Sequence, residues 1–344
     1  MVMLNAPKGD TNNLIALTGA INERPYVVQL LDLWLPWNSK GESVDTLWIE
    51  FDKDGTLSLI EEQPRGYLGD PSARTERSGF AIKVPYYPQF ETLLAAGVQG
   101  VRAFGSENES EGYQQKLNDL LDLMKRKNSN MREFIRMGAL LGEIRKASGG
   151  ISQNLNQLFG ITRTAHAFDL SDPTTDVVAE LIEAKEMAED ELGDFQAQVT
   201  GYKLIAGKNI HRKLTRHASV KDAFALWSST SGFGNQGSAM RDDMRAGFPI
   251  ASDIDIVSYS KGKVGSTYFL DPDKAILCPI VDGMYQTRYA PGDNKDLVNT
   301  IGLPEYAQSQ ELPFKKGDQV HTEMSTVSYV ERPKAIVDIA SSED

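Results

Sequence analysis

Cysteine is almost missing from this 344-residue chain: Cys278 is the only one. No intrachain disulfide can form, which fits a chain made and assembled in a reducing cytosol. Cys278 lies between Leu277 and Pro279 and reads as a small buried apolar residue. Histidine is scarce too, at His166, His211, His217 and His321. His211 and His217 stand six apart in a basic segment, with no Cys or Glu to complete a metal set. No apolar run approaches the roughly 20 residues of a membrane span. The apolar stretch 26–37 is interrupted by Gln29 and Asp32 and has neither a basic leader nor a cleavage signal, so no signal peptide is expected. Basic charge is outweighed, 36 Lys and Arg against 48 Asp and Glu, for a net charge of −12. That argues against a free surface that grips nucleic acid generally, and it leaves open lining a space that holds DNA.

Proline is absent from residues 107–146, and there the apolar pattern is strongest. Tyr113, Leu117, Leu120, Leu121 and Met124, then Met131, Phe134, Ile135, Leu140, Leu141 and Ile144, recur at three- and four-residue steps. That is the period of one helix face. The break is Asn128-Ser129-Asn130, where Asn130 can cap a fresh turn and Glu133 can close a capping box. The stretch is therefore either two helices or one long kinked helix. A continuous one would run roughly 60 Å, more than a compact domain needs, and such a helix usually braces something extended.

Around it, residues 1–24 are polar and read as an arm. The apolar 25–37 then needs a surface to lie on, such as a neighbouring subunit. Residues 45–61 alternate in strand fashion through Leu47, Ile49 and Phe51, then Leu57 and Leu59 after Asp54-Gly55, a strong hairpin signal. A polar tip at 63–79 carries Arg65, Arg74 and Arg77, and 80–88 returns extended. Together 45–84 read as a two-stranded excursion, which is marginal alone and should be held by a partner. Residues 151–170 hold short strand-like pieces. Residues 176–194 form an acidic helix with Lys185 as its one base, whereas 201–222 are basic, with Lys203, Lys208, Arg212, Lys213, Arg216 and Lys221. The two can pair within a subunit or between subunits, or stand as two solvated faces. A loop at 228–247 and strands at 250–257, 265–270 and 275–280 suggest a mixed α/β substructure over roughly 199–299. Residues 320–339 read as two strands bent at Arg332-Pro333.

Chemical motifs are weak. Glu50, Asp52, Asp54, Gly55, Leu57 and Glu61 partly fit a calcium loop, but the flanks read as strands where that motif needs helices. Residues 232–237 fit G-x-G-x-x-G literally, with no apolar strand before them, so they read as a loop. Asp253 and Asp255 alternate with Ile254 and Ile256 and read as the polar face of a half-buried strand. No P-loop or G-x-S-x-G is present. We therefore expect no enzyme activity, no catalytic, cofactor-binding or metal residues, and no cofactor.

Several blocks resemble the lambda-type phage major capsid protein E family, of the HK97-like fold. They are 97–105 (GVQGVRAFG), 136–144 (RMGALLGEI), 158–178 and 208–221, then Tyr268 to Cys278 ahead of Ala290-Pro291-Gly292-Asp293. The series closes with 299–307 (NTIGLPEYA) and 332–337 (RPKAIV). Each is weak alone, and their joint order over about 45–340 is specific. His217-Ala218-Ser219 departs from the family's frequent His-Pro, and Ser325-Thr326-Val327 from its Ser-Asn-Pro. The resemblance implies an α+β chain divided into an N-terminal arm (1–44), an E-loop (45–84) and a P-domain (85–198 with spine helix 107–146, and 300–344), with an A-domain at 199–299. It also implies hexamers and pentamers of an icosahedral head assembled in the host cytoplasm. Expected partners are a scaffold, a portal, possible decoration protein and DNA held without sequence specificity, with no membrane. Some relatives bond subunits covalently through Lys and Asn, and no residue here matches such a site. The alternative is another virion structural protein, such as a tail-tube subunit.

Overall fold

The computed structural model describes residues 13–24, 29–52, 77–99, 112–222, 248–250, 253–259, 263–264 and 267–342. The Asp54-Gly55 turn, most of the tip at 63–79, residues 107–111 and the loop at 228–247 lie outside the described residues. Helices α1 (Asn13–Glu23) and α2 (Leu30–Trp34) precede β1 (Trp37–Gly41). The hairpin β2 (Thr46–Asp52) and β3 (Arg77–Lys83) follows, then β4 (Tyr86–Leu94) and the single turn α3 (Ala95–Val98). The long helix is α4 (Tyr113–Leu140). After it come β5 (Glu143–Arg145), β6 (Ile151–Asn154), α5 (Leu155–Phe159), β7 (Thr164–Phe168) and α6 (Val177–Asp190). The next stretch holds β8 (Tyr202–Ala206), α7 (Lys208–Arg216), β9 (Phe248–Pro249), β10 (Ile254–Ser258), β11 (Lys263–Val264) and β12 (Thr267–Tyr268). The chain ends with β13 (Lys274–Pro279), β14 (Tyr285–Tyr289), β15 (Tyr306–Glu311), β16 (Gly317–Val330) and β17 (Val337–Ser341).

Helix α4 is 28 residues without interruption, about 42 Å long. The helix runs through Asn128-Ser129-Asn130 without the expected break. Asn128 Nδ2 donates to Glu305 Oε2 at 2.9 Å, and Ser129 Oγ donates back to Lys125 O at 3.0 Å. Glu133 does not close a capping box either. Its carboxylate accepts the Leu31 amide of α2 at 3.3 Å and the Tyr259 hydroxyl at 3.2 Å. The helix also stops short of 146. Gly142 follows the cap residue Leu141 with φ +71°, the left-handed position that ends helices. Ile144 then belongs to β5.

Two sheets share α4. One runs β1-β14-β16-β15, with β4 paired to the first nine residues of β16. The departure at Ser325-Thr326-Val327 falls where β16 exchanges partners, Ser325 pairing with β4 and Thr326 with β14. The other sheet runs β7-β17-β13-β8-β10-β9. Alternate residues point to opposite faces. On one face Leu204, Ala206, Ile254, Ile256 and Leu277 receive α6 and α7. On the other, Ile205, Val257, Ile276 and Cys278 pack with α2 and with Phe134, Met137 and Leu140 of α4. This sheet draws β7 and β17 from outside 199–299, and β14, inside that span, joins the other sheet.

Within the expected arm, α1 packs on the rest of the chain. Leu17 and Ile21 of α1 pack on Leu117, Leu121 and Met124 of α4 and on Ala307 and Val320. Lys125 Nζ donates to the carbonyls of Ile21 and Arg24, satisfying the open end of α1. Burial lowers the Lys125 pKa from its ordinary value. The apolar stretch after it also lies on its own chain: Leu31, Trp34 and Leu35 enter the core with α4, and Arg136 pairs with Asp32. The root of the hairpin is likewise held internally. Leu47, Ile49, Ile82 and Val84 pack on Leu155, Ala290, Val327 and Tyr329, where a partner had been expected.

A deeply buried ion pair joins Arg132 Nη2 to Glu305 Oε1 at 3.0 Å, side chains 3% and 2% exposed. Replacing Arg132 by Met strands that carboxylate and is expected to cost about 3–5 kcal/mol in urea titration, most of it recovered when Glu305→Gln is added. Leu121→Ala, emptying a site between α1 and α4, is expected to cost about 2–5 kcal/mol and to expose α1 to limited proteolysis first.

Candidate assembly surfaces

Strand β4 lends one face to the core and leaves the other open. Its odd residues face α4: Gln89 Nε2 donates to Asn128 Oδ1 at 2.7 Å, and Glu91 meets Lys127 in a half-exposed pair at 3.8 Å. Its even residues turn outward, so Tyr86 (40%), Phe90 (66%) and Leu94 (49%) are exposed in a row. The turn from β15 to β16 adds Phe314, 91% exposed, with φ at +62°. An aromatic residue in the left-handed region carries backbone strain. Exposed apolar rows of this kind mark surfaces that meet partners.

The root of the β2–β3 hairpin is a second surface. A hollow of about 490 Å³ opens there between Val44, Asp45, Lys83, Tyr86 and Asp293. The Tyr86 hydroxyl donates to buried Glu323 at 2.7 Å. Burial and then Glu323 push that phenol well above its ordinary pKa. Further out, Trp48 is 64% exposed and lies over Gly79, where a Cβ would stand 2.3 Å from the indole nitrogen. The loop before β15 is a third surface, with Val298 (66%) and Ile301 (71%) exposed.

The sequence's chemical candidates are not brought together. Glu50 and Asp52 lie in strand β2, while Asp54, Gly55, Leu57, Glu61 and residues 232–237 lie outside the described residues. Asp253 pairs with Lys185, and Asp255 with Lys203 at 2.6 Å, so neither is poised for acid–base work with the other. Cys278 is fully buried, and burial raises its thiol pKa. His217 Nε2 meets Asp172 O at 3.0 Å and its Nδ1 meets Ser219 Oγ at 2.9 Å, a brace between α7 and the turn before α6. Burial lowers the pKa of His211, and His321 faces Gln308. One grouping escaped the sequence reading. His166 Nε2 lies 2.7 Å from Glu180 Oε2, and with Glu183 they place three ligand-type atoms within 4.8 Å of one another. The His166–Glu180 hydrogen bond accounts for their proximity. Glu180 and Glu183 at i, i+3 were the visible half of that signal.

Helices α6 and α7 carry opposite charge outward. Glu183, Glu186 and Asp190 are exposed on α6, and Lys208, Arg212 and Arg216 on α7. Among the described residues no helix is long and apolar enough to cross a membrane.

A family model described as phage major capsid protein E matches residues 13–341. A major capsid protein of Salmonella phage Felix O1 is 24% identical over 319 residues, covering 83% of this chain and 84% of that protein. Among solved structures, a protein described as a capsid protein of an E. coli CFT073 prophage superposes with TM-score 0.60 at 12% identity, covering 95% of this chain and 98% of its own. The mature capsid of bacteriophage PhiM1 gives TM-score 0.53 at 11% identity, covering 90% and 86%. At such identities the fold is what is shared, and it bears out the α+β, HK97-like class. With the family match running from α1 to β17, the chain belongs to the phage major capsid protein E family.

Proposed function

We propose that this chain is the major capsid protein of a tailed double-stranded DNA bacteriophage, and that its copies form the hexamers and pentamers of an icosahedral head. The observation that carries the proposal is the family match across residues 13–341. The outward row of Tyr86, Phe90 and Leu94 supports it, because a neighbouring copy would cover apolar surface that the lone chain leaves wet. Weak single contacts suffice in a shell, where each copy repeats them. The net charge of −12 offers no general phosphate grip, which suits a wall that encloses DNA without reading it.

In this reading α4 is the spine of a tile whose P-domain is built on β4, β15 and β16. The β2–β3 hairpin is the E-loop, and the six-stranded sheet with α6 and α7 is the body of the A-domain. The E-loop reaches over a neighbour's P-domain, and the hollow at its root gives it room to change angle. A scaffold and a portal complete the head, with a decoration protein as an optional addition.

Expression of the full chain, alone or with a scaffold, is expected to yield capsomers, shells or tubes by negative-stain microscopy. A monomer that persists with scaffold present contradicts the proposal. Phe314→Asn keeps a residue tolerant of left-handed backbone. It is expected to shift monomer stability by no more than about 0.5 kcal/mol, while reducing the yield of shells on sedimentation.

A further inference from the structure

Helices α6 and α7 lie on the same face of the six-stranded sheet, over different halves of it. α6 lies mainly over β7 and β17, and α7 over β10 and β13. The side chains they bury, Leu181 and Ala184 on one and Ile210 and Leu214 on the other, enter one core. Their outer faces therefore look the same way, with acid on one half and base on the other.

Among the described residues these charges do not meet within the chain. The one base on α6, Lys185, is spent on Asp253 and on Glu189 at 3.4 Å. Among the described residues Glu183, Glu186 and Asp190 form no ion pair, and neither do Lys208 and Arg216. Arg212 Nη2 donates to the Asn209 amide oxygen at 3.2 Å. The placement is also unfavourable in a lone chain. Glu183 and Glu186 are at i, i+3, and Glu186 and Asp190 at i, i+4, a like-charge spacing that destabilises helices; Lys208, Arg212 and Arg216 repeat it on α7. Asp190 sits in the last turn of α6, where the helix dipole already favours cations. An opposite charge brought from outside relieves every one of these costs.

We propose that the acidic face of α6 on one copy docks against the basic face of α7 on the next, as a charge joint between neighbouring subunits. The inference rests on the capsid reading above. Two different patches on one molecule can make a heterologous contact, which closes into a ring when the rotation between copies allows it and otherwise runs on as a filament. Complementary charge also tolerates small changes in angle better than interlocked apolar packing, which one chain needs if it is to serve rings of two sizes.

The test reverses each face in the full chain: Glu186→Lys with Asp190→Lys, Arg212→Glu with Arg216→Glu, and all four together. Circular dichroism and thermal melts check that each variant folds. Each single-face reversal is expected to cut the assembled fraction by roughly tenfold on sedimentation, and the four-fold exchange to restore it. A neutral set, Glu186→Gln, Asp190→Asn, Arg212→Gln and Arg216→Gln, is expected to assemble less well and to lose the salt sensitivity that screening gives the unaltered chain. Single-face variants that assemble like the unaltered chain overturn the joint. So does a basic-face defect that the exchange fails to rescue, which would assign α7 to nucleic acid or another acidic partner. An unaltered chain that makes no assemblies at all is a failure of the capsid reading instead.

Discussion

The carboxylate of Glu305 is buried at the middle of the molecule, and the fold depends on its being paired there. Arg132 supplies the charge and Asn128 a second hydrogen bond, both from α4. The backbone oxygen of Glu305 accepts from Asn22 of α1 at 2.8 Å. One residue thus ties the N-terminal helix, the long helix and the strand β15 that follows it. A buried ion that loses its partner costs more than the pair contributes, so the contact fixes register more than it adds stability. Next along α4, Glu133 and Arg136 do the same for α2, through the Leu31 amide and Asp32.

With α4 held this way, both sheets hang from one rod. Its first half covers β16 and β4, and its last turns enter the core beneath the six-stranded sheet. What α4 leaves uncovered is the outer face of β4, the hairpin and the charged faces of α6 and α7. Those are the surfaces an assembly would use.

Much of this was legible in the sequence. The three- and four-residue apolar steps marked α4, the Leu47–Ile49 alternation marked β2, and the bend at Arg332-Pro333 separates β16 from β17. Local errors around α4 come from tertiary recruitment of polar groups. Glu133 has the side chain to close a capping box, but distant partners claim it, and Asn128, beside the expected cap Asn130, is held by Glu305. Leu14, Leu17 and Ile21 have helical spacing that polar Asn13 and Gly19 disguised. Nothing local links Arg132 to Glu305, 173 positions away, or brings residues 164–168 beside 337–341. Periodicity reports which face of an element is apolar, and it is silent on what that face meets.

The central claim is that this fold exists to tile a closed shell. A cryo-electron microscopy reconstruction of particles assembled from the full chain tests it most directly. The account predicts closed shells in which copies surround both five-fold and six-fold positions, with the β4 face and the hairpin covered by neighbours. Closed particles that lack either kind of position, or particles in which Tyr86, Phe90 and Leu94 stay exposed to solvent, would contradict it.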